Sequence, residues 1–191
     1  ISGHIQCLDF FKDRTSITTI RDPIERAISH YNMLIERKLI NINTDIEECF
    51  LSGLIPRNPI TQMFSCKNSY NEEVNFDNKK LAISNLKSVD LIISVEKIHS
   101  LINYLISTYN LPNILYQKLQ MNKKNYFKKN KTNINKIKKY NNFDIEIFNL
   151  LKSENIFFNF PTSNEKRFNN DYFIYSIDFK INGHNSLITQ R

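Results

Sequence analysis

The stretch SITTIRDPIERAISHY, residues 16–31, decides the reading of this chain. Residues 16–20 are short and β-branched, and Arg21-Asp22-Pro23 follows at once, which reads as a buried strand ending in a turn. Asp22 is a favourable N-cap, and Pro23 suits the first helical position, where its missing N–H would have no partner anyway. Apolar residues then recur at Ile24, Ala27, Ile28, Tyr31, Leu34, Ile35 and Leu39. Those offsets predict a helix over residues 23–39 with one buried stripe. Strand, tight turn and helix make half of a βαβ unit.

Outward from this core the same periodicities continue. A second helix is expected near residues 44–52, ahead of the breaker stretch 53–59, and another over 78–87. Residues 90–95, DLIISV, read as a second buried strand. Ile98, Leu101, Ile102, Leu105, Ile106 and Tyr109 place the next helix, ended by Asn110 and Pro112. A last helix is expected over residues 144–151, with Ile147, Phe148 and Leu151 inward. Strands alternating with helices predict an α/β domain around a parallel sheet. From Phe160 the character changes, and Phe173, Tyr175, Ile177, Phe179 and Ile181 alternate with mostly polar residues as a half-buried strand does. The chain therefore divides into a domain over residues 1–159 and a tail, or the opening of another domain, over 160–191.

Composition narrows the class. An apolar fraction of 41% over 191 residues excludes wholesale disorder and allows one domain with a sizeable core. No apolar run approaches the roughly 18 residues of a membrane span, so no membrane segment is expected. The first residue is Ile and the next few read like the inside of a domain, so further chain is expected upstream. The three cysteines show no metal-ligand or CxxC spacing. They read as free, partly buried thiols in a reducing compartment, and no metal is expected.

The net charge of +7 is unevenly placed. Residues 118–139 hold nine lysines and no acid, which leaves 7 − 9 = −2 for the remainder. Such a segment can contact a polyanion, close on a phosphate-bearing cofactor, or simply form a solvated face. Its two aromatics, Tyr126 and Phe127, are too few for a base-stacking platform, so nucleic acid is not the expected partner.

The candidate chemistry lies at the end of the first strand. Arg21 falls on the rim where parallel α/β sheets bind ligands. Ser29 lies seven residues after Asp22 on the same helix side, about 10 Å along the axis. A bidentate guanidinium and a hydroxyl so placed can reach one phosphate, with the N–H groups of the helix start adding a favourable dipole. The plainer alternative is a surface ion pair between Arg21 and Glu25, with Ser29 merely exposed.

RDPIERAISHY resembles the 3′-phosphate-binding motif of sulfotransferases that use PAPS (3′-phosphoadenosine 5′-phosphosulfate): an Arg, a Ser eight residues on, and a Tyr two further. The match is closer to the branch of heparan sulfate and uronyl 2-O-sulfotransferases and their bacterial relatives. There a Gly-His motif and an LDF precede this element, as Gly3-His4 and Leu8-Asp9-Phe10 do here. LIISVEK, KLQMNKK and YNNFDIEIFNLL resemble later segments of the family, so the similarity spans roughly residues 2–158.

The resemblance implies a P-loop-NTPase-like, three-layer fold with a central parallel sheet, its first strand–loop–helix missing from this chain. It implies PAPS as co-substrate, with Arg21 and Ser29 on the 3′-phosphate, Lys123 and Lys124 in a loop closing over the donor, and His4 as catalytic base. A carbohydrate or glycan hydroxyl is the implied acceptor. The loop that wraps the 5′-phosphosulfate lies before the Gly-His motif, so these residues alone are expected to be inactive. Ser2 stands where eukaryotic relatives often carry a further histidine, and the mid-chain cysteines are fewer, which favours a bacterial-type, cytoplasmic protein over a Golgi one anchored upstream. Two other readings stand beside this one: a non-catalytic basic α/β module holding a polyanion, and a small-molecule kinase whose phosphate loop lies outside the chain.

Overall fold

A computed structural model describes residues 16–65, 73–109, 124–157, 180–181 and 184–185. The protein is mixed α/β, mostly helical, with a small parallel sheet. It divides into two compact units, one of residues 1–98 and 122–159, the other of residues 99–121 and 160–191.

In the first unit, strand β1 (Ile17–Ile20) pairs in parallel with β2 (Leu91–Ser94), from Ile17 opposite Leu91 to Ile20 opposite Ser94. A single parallel bridge from Ile92 to Phe157 extends the sheet beyond β2. Ser16 fastens the start of the pair: its N–H and hydroxyl both donate to Asp90 Oδ2 at 2.7 Å, and its Oγ accepts from Asp90 N at 3.1 Å.

Parallel strands need a long crossover, and here it is helical. Helix α1 (Pro23–Glu36) follows β1, then α2 (Ile46–Leu51), α3 (Pro59–Phe64) and α4 (Phe76–Lys87) before β2. After β2 come a 3-10 turn at Val95–Lys97 and α5 (Ile98–Tyr109). Helices α6 (Lys131–Tyr140) and α7 (Asn142–Ser153) return to the first unit.

Two apolar clusters hold that unit. One joins Ile20 and Ile92 of the sheet to Ile60, Phe64, Leu86, Ile147, Phe148 and Leu151 of α3, α4 and α7. The other joins Ala27, Ile28, Tyr31 and Leu34 of α1 to Cys49, Phe50, Ile55, Phe127 and Ile137. Cys49 is a free, fully buried thiol, and burial, with Glu48 and Asp45 nearby, pushes it up to about 11. The second unit contains most of α5 and a short antiparallel pair, β3 (Lys180–Ile181) with β4 (His184–Asn185). The expected strand over 173–181 lies outside the described residues except for its last two.

Two expectations are corrected. Helix α1 stops at Glu36, not at residue 39, because Lys38 turns into the left-handed region at φ 57°. Lys38 N then donates to Ile35 O and Leu39 N to Leu34 O, both at 2.9 Å, the double bond of a Schellman cap. Leu39 is accordingly 60% exposed rather than part of the buried stripe. Helix α3 begins at the last residue of the expected breaker stretch. Its starting residue Asn58, at φ 43°, gives no side-chain cap, and the cap comes from α7 instead.

Candidate anion site at the end of the first strand

Arg21 is partly buried and stands just past the C-terminal end of β1. It takes part in none of the ion pairs formed by the described residues. Glu25, the partner expected under the plainer alternative, is paired with Lys129 Nζ at 2.7 Å. The neighbouring strand end brings Glu96 into electrostatic range. Burial opposes ionisation of Glu96, but the Ser94 hydroxyl, its own backbone N–H, and the charges of Arg21 and Lys152 hold it below its ordinary value.

The helix start is already occupied. Asp22 Oδ1 accepts from Ile24 N at 2.8 Å and from Glu25 N at 3.2 Å, Arg26 N bonds to Asp22 O at 2.8 Å, and Pro23 has no N–H. The first-turn N–H groups are therefore engaged by the Asp22 cap and are not open to bond an anion directly. What the motif offers an anion is side chains: the Arg21 guanidinium and the partly buried Ser29, two turns further along α1.

Arg26 adds to the positive field. Its Nη2 donates to Asn141 Oδ1 at 2.8 Å, while its Nε is buried without a hydrogen-bond partner. Burial pushes this guanidinium below its ordinary value, the Asp144 charge pulls it back, and the Arg21 charge lowers it again. An anion held by Arg21 would ease that repulsion, a chemistry compatible with a phosphate. His30, next to Ser29, is held below its ordinary value by burial and by the charges of Arg26 and Arg37, which favours its neutral form. Tyr31, the last residue of the motif, is structural: its hydroxyl donates to Thr44 O at 2.8 Å, and its ring meets Phe127 edge-on at 5.7 Å.

The lysine segment runs along α1 in the opposite direction. Lys124 N donates to Glu36 Oε1 at 3.3 Å, Asn32 Oδ1 accepts from Tyr126 N and Phe127 N at 3.0 and 3.1 Å, and Lys129 reaches Glu25. Residues 22 and 36 are about 21 Å apart along the helix axis. The backbone of Lys124 is thus fastened at the far end of α1 from Arg21. Lys129 is the lysine that this strap delivers to the helix start, a placement that required knowing how the segment lies on α1. His4 and Lys123 lie outside the described residues.

Two other lysines of the segment are engaged by acids. Lys136 pairs with Asp45, and Lys139 with Glu47 at 2.9 Å. Among the described residues no group of three or more His, Cys, Asp or Glu is placed to hold a metal ion, and no helix is long and apolar enough to cross a membrane. Compared with protein-family models, curated proteins and solved structures, the chain matches none of them.

Proposed function

We propose that this chain belongs to a sulfotransferase that transfers the sulfuryl group of PAPS to a hydroxyl, on a carbohydrate or glycan. The three-layer fold around a parallel sheet that such enzymes share belongs to the same proposal. One observation carries it: Arg21 at the C-terminal end of a parallel strand, outside the ion pairs of the described residues, with Ser29 two turns along the following helix. Their guanidinium and hydroxyl hold the 3′-phosphate of the donor, and the Arg26 charge behind them deepens the potential.

Catalysis follows from position and proton transfer. The acceptor oxygen forms its bond to sulfur as the bond from sulfur to the 5′-phosphate oxygen breaks. The hydroxyl proton passes to His4, and the products are a sulfate ester and adenosine 3′,5′-bisphosphate. Histidine suits this role because its unperturbed pKa, about 6.5, lies near operating pH. A positioned base contributes about 10²–10⁴ in rate.

The reading is tested with radiolabelled PAPS, a panel of glycan acceptors and the full-length protein. Label should pass to an acceptor, and His4→Ala should slow transfer about 10²–10⁴-fold while donor binding persists. Protein that binds adenosine 3′,5′-bisphosphate but labels no hydroxyl acceptor would contradict the transferase reading.

A further inference from the structure

A cleft lined by Arg57 and Lys139 lies elsewhere in the first unit. The loop after α2, the end of α6 and the start of α7 enclose this cleft of about 400 Å³. That lies within the roughly 300–1,000 Å³ usual for small-molecule sites. It shares no residue with the Arg21–Ser29 pair.

Two cations line the cleft, Arg57 and Lys139, the second also paired with Glu47 at 2.9 Å. Arg57 is fixed in orientation: its Nε donates to Phe50 O at 3.2 Å, and its guanidinium carbon lies 5.1 Å from the Tyr140 ring centroid. Tyr140 is itself held, stacked on Phe50 at 5.0 Å with 18° between the rings. With Nε committed, the terminal N–H groups of Arg57 remain for an oxyanion, which a planar fork grips in bidentate fashion. The acid now nearest holds them weakly. Glu73 is 3.8 Å away and its side chain is 92% exposed, so the pair contributes little.

The rest of the lining suits a hydroxylated body. Asn142 accepts from Asn58 Nδ2 at 3.3 Å, which leaves its own amide N–H groups to donate, and Gln62 and Phe143 add a carboxamide and an apolar wall. We propose that this cleft binds a small hydroxylated oxyanion, a sugar phosphate or sugar acid, whose anionic group displaces Glu73 from Arg57 and lies beside Lys139. The site is independent of the PAPS reading.

The test is calorimetric titration of the full chain with glucose 6-phosphate, gluconate, glucose and inorganic phosphate. At least one of the two charged hydroxylated probes should bind about tenfold more tightly than glucose and inorganic phosphate, and which one does so separates phosphate from carboxylate recognition. Arg57→Gln should weaken that binding about tenfold or more, Glu73→Gln should tighten it, and Arg21→Ala should leave it unchanged. Glu73 is exposed, so its variant keeps the fold and keeps the test decisive should Arg57→Gln unfold. Failure of both charged probes, equal affinity for glucose, no tightening in Glu73→Gln, or loss in Arg21→Ala would each overturn the proposal.

Discussion

Asp144 is fully buried and accepts three hydrogen bonds, from Ile60 N at 2.9 Å and from Thr61 N and Oγ1 at 2.8 Å. Asn58 returns the favour: its Oδ1 accepts from Phe143 N at 3.0 Å and Asp144 N at 3.2 Å. Each residue thus caps the other's helix. Burial pushes the Asp144 carboxyl above its ordinary range, and the Arg26 charge with these three donors pulls it back. Asp144→Ala leaves buried donors without an acceptor and Arg26 without its counter-charge, and should cost about 3 kcal/mol in chemical denaturation. A loss under 1 kcal/mol would mean that the caps are incidental. Lys38 makes the opposite prediction. A non-glycine residue in the left-handed region is strained, so Lys38→Gly should stabilise the protein by about 0.5–1 kcal/mol. The Arg21–Ser29 spacing was legible from sequence because strand, cap and helix are local. The role of Asp144 was not, because its partners stand 83 and 84 residues away.

Among the elements, the lysine segment is a strap as much as a charged surface. Helix α6 is fastened to α2 by Lys136 with Asp45, and by Lys139 and Tyr140 with Glu47. The Lys136 hydrogen bond, then the Glu47 backbone N–H, holds Asp45 below its ordinary 3.8. Lys139, then Tyr140, holds Glu47 below its ordinary 4.5. With folded-state values depressed, the unfolded chain takes up protons first as pH falls. The stabilisation is therefore complete above about pH 5 and is lost as pH falls towards about 3. Thermal unfolding across that window should fall less steeply for the Asp45→Asn, Glu47→Gln double variant than for the parent, and equal slopes would refute the strap. Apolar patterning located α1, α4 and α7, each of which buries one stripe, and β2, an apolar run whose adjacent Ile92 and Ile93 are both buried. It overran α1, since apolar Leu39 continues the spacing beyond a turn set by Lys38. It passed over α3, a six-residue helix whose cap is supplied from another element.

For the whole molecule, alternation of strands and helices foretold an α/β protein, and β1 does pair in parallel with β2; β1 is not the buried strand expected, since only Ile20 is enclosed and Ile17 is 40% exposed. The polar link from Arg26 to Asn141, beside the Asp144 caps, was invisible in the sequence, because its members come from α1, α3, α6 and α7. The proposed sulfotransferase stands or falls with Arg21 and Ser29 as the donor's 3′-phosphate site. Calorimetric titration of the full-length protein with adenosine 3′,5′-bisphosphate and with adenosine 5′-monophosphate, beside Arg21→Ala and Ser29→Ala, tests it most directly. Micromolar binding of the bisphosphate alone is expected, on the order of −8 kcal/mol, collapsing in Arg21→Ala and weakening in Ser29→Ala. Equal affinity for both nucleotides, or undiminished binding in Arg21→Ala by a folded protein, would contradict it.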